Sequence, residues 1–239
     1  MPIAKESRII LITGAGRGLG LGFARQWLEA GNRVFALARD PENASGLRDL
    51  AKTHGDSLIP ITGDVADESS IRRARTAVEE QTDRLDLLLN NAGIYGSRDE
   101  TLDSLNPEDL HRVFEVNAIG PIRVAREFLP LLLHGNRPRI VNMTSLMGSL
   151  EDNSSGGSWA YRLSKAALNM ANRNLALEIG PRGILSVVLH PGWVRTDMGG
   201  SHAPLALEES VAEMVATIDR ITDEKSGGFI DRKGEKLPW

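Results

Sequence analysis

Residues Ile9–Gly20 read IILITGAGRGLG, an apolar run that passes directly into a glycine-rich turn. The run is short and rich in Ile and Leu, which is typical of a parallel strand buried on both faces. Glycines let the turn bend sharply, and they let a diphosphate approach the amide groups at the N-terminus of the next helix. Such turns also serve purely structural purposes, but the spacing TGxxxGxG at a first strand-to-helix junction favours a dinucleotide site. The residues expected to contact the dinucleotide here are Gly14, Gly16, Arg17, Gly18, Leu19 and Gly20.

The rest of the chain continues this alternation of short apolar runs and longer segments with helical spacing. Strands are predicted at 8–13, 33–38, 57–61, 85–90, 139–144, 184–190 and 229–231. Helices are predicted at 19–30, 42–52, 68–81, 107–133, 160–179 and 207–221. This alternation predicts an α/β fold, a doubly wound seven-stranded parallel Rossmann sheet with helices on both faces. Ligands of such sheets bind beyond the carboxyl ends of the strands.

Length and composition narrow the class of protein. A chain of 239 residues can build one sizeable core, so a single domain spanning 1–239 is expected. The formal net charge of -4 indicates no nucleic-acid partner. The absence of cysteine excludes disulfides, thiol nucleophiles and cysteine-ligated metals, and it fits a reducing compartment. No segment is long and apolar enough for a membrane span, so we expect a cytoplasmic protein with neither a membrane nor a metal partner.

The second predicted strand ends in Leu37-Ala38-Arg39-Asp40, the region that usually distinguishes the two nicotinamide cofactors. An acidic residue there binds the ribose hydroxyls of NAD, whereas a nearby arginine accommodates the 2′-phosphate of NADP. Alanine stands where the carboxylate is expected, Arg39 follows it, and Arg17 could reach the same phosphate. NADP(H) is therefore the preferred cofactor. NAD(H) remains the alternative, in which both arginines are solvated and Asp40 binds the ribose.

Two further turns fall after predicted strands. Asp64-Val65 follows the third strand, where a carboxylate could accept a hydrogen bond from adenine, although Asp64 could equally cap a helix. Asn90-Asn91-Ala92-Gly93 follows the fourth strand, where small residues would let the backbone approach the adenosine ribose. For each turn a structural explanation is as strong as a functional one. The residues assigned to the cofactor from these turns are Asp64, Val65, Asn91, Ala92 and Gly93.

Tyr161 and Lys165 stand four residues apart in a predicted helix, so their side chains share one face and can meet over a common ligand. The preceding strand ends in Thr144-Ser145, and Asn117 adds a polar residue within the long predicted helix. Together with TGxxxGxG, NNAG and Pro191-Gly192-Trp193-Val194-Arg195-Thr196, this combination resembles the short-chain dehydrogenase/reductase family over essentially the whole chain. Each motif alone is weak, whereas the combination is highly specific.

The resemblance implies a sheet with strand order 3-2-1-4-5-6-7 and a set of catalytic roles. Tyr161 is expected to act as general acid in reduction, Ser145 to polarise the substrate carbonyl, and Asn117 to anchor a water relay. Lys165 is expected to lower the pKa of Tyr161 and to bind the nicotinamide ribose, because a nearby ammonium favours the phenolate. Thr144 is the competing hydroxyl, but the pattern Ser-x-x-Gly and the alternation of strand side chains favour Ser145. Pro191, Gly192, Val194 and Thr196 are expected to lie at the nicotinamide.

The stretch HPGWVRTDMGG and the segment GGFIDRKGEKLPW resemble the subgroup that contains the sniffer carbonyl reductases and the bacterial C-factor signalling proteins. The expected function is therefore NADPH-dependent reduction of a ketone, aldehyde or quinone to an alcohol, or the reverse reaction. The alternative is a cofactor-binding signalling protein with weak turnover. The family also implies a homodimer or homotetramer formed through the helices at 107–133 and 160–179, where an apolar stripe (Leu168, Ala171, Leu175 and Ile179) faces either a partner or the sheet.

Overall fold

The computed structural model describes residues 7–98 and 100–239, and its strands form one seven-stranded sheet. The strands are β1 Ile9–Thr13, β2 Arg33–Ala38, β3 Leu58–Thr62, β4 Leu87–Asn90, β5 Arg139–Met143, β6 Leu185–His190 and β7 Phe229–Asp231. The helices are α1 Gly18–Glu29, α2 Ser45–His54, α3 Glu68–Glu79, α4 Pro107–Phe114, α5 Gly120–Leu133, α6 Trp159–Ile179 and α7 Leu207–Asp219. All adjacent strands pair in parallel in the order β3-β2-β1-β4-β5-β6-β7, which confirms the predicted fold.

The alternation of side chains along each strand supplies two core layers. In β1, Ile10 and Ile12 pack with α1, α2 and α7, whereas Leu11 points to the opposite face and packs with α3, α5 and α6. Both layers exclude water, because these strand residues are fully buried. The continuous apolar runs of the sequence therefore arise from a sheet that is covered on both faces.

The apolar stripe of α6 faces the sheet. Leu168 is buried and packs with Val188 and Phe229, and Ile179 is buried in the core layer that contains Leu11. Leu175 also packs against that layer. Of the two alternatives for this stripe, the structure therefore selects the sheet, and any partner must use other residues of the helix.

The predicted helix at 107–133 is helical throughout but contains a π turn at Glu115–Ile119 between α4 and α5. Pro121 follows two residues later and has no amide hydrogen, so it cannot donate the usual i→i−4 bond to the carbonyl of Asn117. Turns of this type occur mostly as single insertions and often at functional sites. The turn contains Asn117, one of the predicted catalytic residues.

Helix α2 begins three residues later than predicted, at Ser45 rather than Glu42. The carboxylate of Asp40 accepts hydrogen bonds from the backbone N–H of Asn43 at 3.2 Å and from its side-chain amide at 2.8 Å. Short acidic residues often form such local turns, which compete with the helix. The other boundaries agree with prediction or differ by at most two residues.

The strand order reverses between β1 and β4, since β1 pairs with β2 on one side and β4 on the other. Ligands of open α/β sheets bind in the crevice at such a reversal, beyond the carboxyl ends of the strands. The glycine turn follows β1 and the NNAG turn follows β4, so both motifs lie at the crevice.

Candidate active site

A cleft of about 680 Å³ opens at the carboxyl edge of the sheet and collects most of the predicted cofactor residues. It extends from the ends of β1, β2 and β3 past the NNAG turn to Tyr161 and Lys165. Its volume lies within the usual range for sites that hold cofactors and drug-sized ligands. The predicted residues that line it are Gly14, Gly16, Arg17, Gly18, Leu19, Arg39, Asp64, Val65, Asn91, Ala92, Gly93, Tyr161, Lys165, Pro191 and Thr196.

The glycine turn fits an anionic group. Gly14 and Gly18 have φ angles of 67° and 54°, which favour glycine over residues with a side chain. Helix α1 begins without a side-chain cap and without an acidic residue in its first turn. The first amide groups of a helix have no intrahelical acceptor, so an anion at this end would satisfy them.

Hydrogen bonds join the NNAG turn to the glycine turn. The side-chain amide of Asn91 donates to the carbonyls of Thr13 at 3.0 Å and Gly14 at 3.2 Å. The hydroxyl of Thr13 accepts from the backbone N–H groups of Asn91 and Ala92, each at 3.0 Å. A Cβ on Gly14 would lie 2.9 Å from the Cα of Ala92, so a side chain there would push the two turns apart. The two motifs therefore act as one unit at the reversal of strand order.

At the far end of the cleft, Arg39 is exposed and lines the wall. Asp40 also lines the wall, but its carboxylate is occupied by Asn43. Whether Arg39 or, in the alternative, Asp40 meets the adenosine ribose stays a prediction. The guanidinium of Arg17, which was expected to reach the same phosphate as Arg39, forms an exposed ion pair with Asp197 at 2.7 Å. Asp197 lies in the segment after β6, so the pair joins the glycine turn to that segment.

Asp64 does not cap the helix that follows it. The cap of α3 is Asp67, which accepts from the backbone N–H groups of Ser69 at 2.8 Å and Ser70 at 3.2 Å. Asp64 accepts from the backbone N–H of Ala66 at 2.9 Å and lines the cleft. Asp64 is therefore not the helix cap, and its contact with adenine stays a prediction beside this local structural role.

The catalytic helix α6 brings Tyr161 and Lys165 to the cleft, and the segment after β5 brings Ser145 to Tyr161. The hydroxyl of Ser145 lies near the phenol of Tyr161, acts to lower its pKa, and accepts from the N–H of Met147 at 3.2 Å. The competing residue Thr144 lines the cleft, which Ser145 does not, but its hydroxyl is buried and donates to Asn169 at 2.7 Å. The preference for Ser145 as the hydroxyl that meets a substrate therefore rests on its place beside the phenol and stays a prediction.

Burial raises the pKa of Tyr161 to about 12, and the neighbouring hydroxyl of Ser145 opposes this rise. Burial lowers the pKa of Lys165 to about 8. The ammonium of Lys165 donates to the carbonyl of Met143 at 2.8 Å and lies 5.6 Å from the centre of the Tyr161 ring. At neutral pH the site therefore holds a protonated phenol beside a cation.

Asn117 supports the loop after β4 and does not line the cleft. It is fully buried, and its side chain accepts from the N–H of Ile94 at 2.9 Å and donates to the carbonyl of Ile94 at 2.8 Å. It also donates to Ser164 at 3.0 Å. The expected role of Asn117 in a water relay stays a prediction, whereas its side chain visibly holds the loop against α6.

Three residues that were predicted to contact the cofactor are not among those that line the cleft, and their contact with it stays a prediction. Gly20 is packed so closely that a Cβ would lie 2.3 Å from the carbonyl of Gly14. Gly192 has a φ angle of 83° and serves the turn after β6. Val194 is buried and forms a bridge with Leu205. His190 is also structural, because its Nδ1 accepts from the N–H of Leu146 at 3.3 Å and burial lowers its pKa to about 4.

Comparison with known proteins identifies the family. Residues 8–204 match the family model described as short chain dehydrogenase. This chain belongs to the short-chain dehydrogenase family. It is 46% identical over 158 residues to the C-signal of Myxococcus xanthus, a match that covers 66% of this chain and 95% of that protein.

Two solved carbonyl reductases share the fold of this short-chain dehydrogenase. The NADPH-bound carbonyl reductase from chicken fatty liver is 36% identical with a TM-score of 0.92, and the match covers 98% of this chain and 100% of that one. The carbonyl reductase Sniffer of D. melanogaster is 36% identical with a TM-score of 0.93 and the same coverage. These findings confirm the resemblance to the family and to its sniffer and C-factor subgroup.

The described part of this short-chain dehydrogenase, residues 7–98 and 100–239, has no helix with the length and apolar character needed to cross a membrane. The same ranges contain no group of three or more His, Cys, Asp or Glu side chains that could hold a metal ion. Residues that the motifs did not indicate also reach the cleft region, among them Asp197 and Met198 from the segment after β6. Both lie in the stretch HPGWVRTDMGG, but the sequence did not indicate that they reach the cleft.

Proposed function

We propose that this chain is an NADPH-dependent carbonyl reductase that converts a ketone, aldehyde or quinone to an alcohol and can run the reverse reaction. The observation that carries the proposal is the meeting of Tyr161 and Lys165 at the end of the cleft opposite Arg39, with Ser145 beside the phenol. The solved carbonyl reductases that this chain resembles over 98% of its length support the same reaction class.

The cleft fits a nicotinamide dinucleotide, which supplies the hydride when it is bound. The uncapped start of α1 and the glycine turn would hold its diphosphate, and Asp64 would meet its adenine. Arg39 favours NADP(H) over NAD(H), because Asp40 is engaged with Asn43 and no carboxylate is offered by Ala38. The chicken enzyme binds NADPH, which supports this preference.

The protein supplies the proton. During reduction the carbonyl oxygen of the substrate gains negative charge, and Ser145 would donate a hydrogen bond to it. The O–H bond of Tyr161 then breaks as a new O–H bond forms on the substrate. With a pKa of about 12, the buried phenol retains its proton at neutral pH until this step. Lys165 stabilises the resulting phenolate, since an ammonium favours the charged form of a neighbouring acid.

The test is the substitution Tyr161→Phe, assayed by NADPH oxidation with a panel of reactive ketones, aldehydes and quinones. General acid catalysis contributes roughly 10²–10⁴-fold to a rate, so turnover is expected to fall by at least about 100-fold. NADPH affinity, measured by calorimetric titration, is expected to stay unchanged. Turnover that survives in the Phe variant would overturn the mechanism.

A second candidate function is a nicotinamide-binding signalling protein with weak turnover. It is favoured by the 46% identity to the Myxococcus xanthus C-signal. The same panel separates the two functions, because a protein of this second kind would bind NADPH without turnover above background. A third candidate, physiological oxidation of an alcohol, uses the same residues in reverse and would be favoured by faster turnover with NADP⁺.

We further propose that the whole chain acts as one cytoplasmic domain and assembles as a homodimer or homotetramer. The absence of cysteine supports a reducing compartment. The single sheet, which runs from β1 to β7 near the end of the chain, supports one domain. Helices α5 and α6 carry exposed apolar side chains that support assembly, namely Ile122, Leu133, Leu163, Met170 and Leu177.

A further inference from the structure

The loop after β4 places two side chains in a column on the catalytic phenol. The ring of Tyr95 stacks on the ring of Tyr161 with 4.5 Å between ring centres and 15° between planes. The guanidinium of Arg98 lies 4.3 Å from the centre of the Tyr95 ring. Lys165 also approaches Tyr161, at 5.6 Å from its ring centre. We call Arg98, Tyr95, Tyr161 and Lys165 the column, in which each of the two stacked rings has a cation close to it.

Three segments fix the column in place. The hydroxyl of Tyr95 lies 2.9 Å from the Oγ of Ser158 and 3.6 Å from the sulfur of Met147. Ser158 adopts a left-handed backbone with φ of 46° at the start of α6, a conformation that is uncommon for serine. Arg98 donates a hydrogen bond to the carbonyl of Met198, in the segment after β6. The column thus joins the loop after β4 to the segment after β5, to the start of α6 and to the segment after β6.

Tyr95 and Arg98 act on the pKa of Tyr161 in opposite directions. Tyr95 covers one side of the phenol ring, and burial is the largest cause of the raised pKa of Tyr161, to which Tyr95 adds. The positive charge of Arg98 lowers the pKa of the same phenol. The charged and titratable groups that bear on Tyr161 are therefore Tyr95 and Arg98 from the loop after β4 and Lys165 from its own helix.

We propose that Tyr95 and Arg98 are positioning residues for Tyr161, in which Tyr95 keeps the phenol protonated and Arg98 eases the release of its proton. This inference rests on the proposed role of Tyr161 as the general acid. A general acid must hold its proton at working pH and still surrender it as charge develops on the substrate. Burial under Tyr95 helps the phenol to hold its proton. The positive charges of Arg98 and Lys165 help it to release that proton.

The chain contains only two tyrosines, Tyr95 and Tyr161, so each phenol can be titrated directly. Isotope-labelled tyrosine in the full chain gives two NMR signals, which Tyr161→Phe assigns. We expect Tyr95→Ala to lower the pKa of Tyr161 by roughly one unit, because water then reaches the ring. We expect Arg98→Met to raise it by roughly half a unit, because a nearby cation is lost. Shifts of opposite sign from two neighbouring residues are not expected from a general loosening of the loop.

Matched variants separate these effects on the pKa of Tyr161 from a general loss of local structure. Tyr95→Phe keeps the stacked ring and is expected to leave the pKa of Tyr161 nearly unchanged, whereas Arg98→Lys keeps the charge and should restore most of the effect. Arg72→Met removes an equally exposed arginine from α3 and should have no effect. If Tyr95→Ala does not fold, as judged by circular dichroism, the comparison of Arg98→Met with Arg98→Lys still decides the charge effect.

Kinetics supply the second readout. In the reduction assay, Arg98→Met is expected to move the alkaline limb of the kcat profile to higher pH by roughly half a unit and to lower kcat at neutral pH by up to about threefold, with KM little changed. The inference is overturned if Arg98→Met leaves the Tyr161 pKa unmoved, or if Tyr95→Ala and Arg98→Met shift it in the same direction. Absence of turnover in the unmodified protein would instead reject the proposed function, and the NMR titration would still decide the role of the column.

Discussion

Arg39 is the residue on which the proposed choice of cofactor depends. It lines the cleft, is exposed, and stands beside an aspartate that is held by Asn43. Arg39→Asp is expected to weaken NADPH binding at least about tenfold relative to NADH, because it replaces a partner of the 2′-phosphate with a like charge. Calorimetric titration with both cofactors measures the ratio. Arg48→Asp, an equal charge change on α2 away from the cleft wall, is the control, and an unchanged ratio in Arg39→Asp would refute the assignment.

Lys165 offers a second test at the level of single residues, because burial of its charge lowers the free energy of unfolding. The folded pKa of about 8 lies below the ordinary 10.5, so at neutral pH the ammonium is buried in the folded chain and solvated in the unfolded one. This cost is full below about pH 8 and disappears as the pH rises towards 10.5. Lys165→Met is therefore expected to raise the free energy of unfolding at pH 7 by on the order of 1–3 kcal/mol, while it abolishes turnover.

Urea denaturation of the cofactor-free protein at pH 7 and pH 10 measures this effect. The gain in stability should shrink at the higher pH, because the lysine of the parent protein is then neutral when folded. A variant that is less stable than the parent at both values would show that the hydrogen bond from Lys165 to Met143 outweighs the burial of the charge.

The sequence predicted some of these residues and could not predict others. Tyr161 and Lys165 follow from helical spacing, and Ser145 could be preferred over Thr144 because neighbouring strand residues point to opposite faces. Tyr95 and Arg98 lie in an irregular loop, where no periodicity relates a side chain to its neighbours in space. Their contact with Tyr161 depends on the tertiary path of that loop, which Asn117 fixes from another element.

At the scale of elements, the ion pair between Arg17 and Asp197 joins the glycine turn to the segment after β6. Both side chains are more than three-quarters exposed, so the pair itself is weak. The phosphates of a bound dinucleotide would compete with Asp197 for the guanidinium of Arg17. Asp197→Asn is therefore expected to strengthen NADPH binding by up to about fivefold, with a smaller effect at high salt.

Fluorescence titration with NADPH at two salt concentrations tests this expectation. Asp223→Asn removes a carboxylate that lies in a turn before β7 and serves as the control. Weaker binding in Asp197→Asn would contradict the competition and indicate that the ion pair helps to hold the segment over the cofactor.

The succession of strands and helices was predictable because a sheet covered on both faces requires continuous apolar runs. The start of α2 could not be predicted, because it depends on the hydrogen bonds between Asp40 and Asn43. The π turn was also missed, because hydrophobic periodicity over a long helix tolerates one extra residue. Pro121 was the available signal, since a proline inside a predicted helix removes a donor from the preceding turn.

At the scale of the whole molecule, the exposed apolar residues of α6 follow a regular spacing. Leu163, Met170 and Leu177 lie seven residues apart, so they share one face of the helix, and Met170 is 64% exposed. Met170→Glu is expected to convert the proposed dimer or tetramer to a smaller species, because it introduces a charge into an apolar interface. Light scattering after size-exclusion chromatography measures the mass.

Leu102→Glu provides the control for this prediction. Leu102 is 72% exposed in the turn before α4, away from the face formed by α5 and α6, so the same change there should leave the mass unaltered. A monomeric parent protein would contradict the proposed assembly. The sequence alone indicated the wrong stripe of α6 as one alternative for this interface, because apolar spacing cannot distinguish a face that meets a sheet from one that meets a partner.

The π turn at Glu115–Ile119 also limits how this protein can change in length. A π turn holds one residue more than an α turn, so loss of one residue from it would leave a regular α-helix with α4 and α5 in their present phase. Successive residues of an α-helix are rotated by about 100° around its axis, so loss of one residue within α4 or α5 would rotate the two halves relative to each other by that angle. Either α4 would then lose its packing against α6, or the buried side of α5 would turn away from the sheet. Between Pro107 and Leu133, the π turn is therefore the place where a one-residue deletion keeps both halves in phase, at the expense of the local geometry around Asn117.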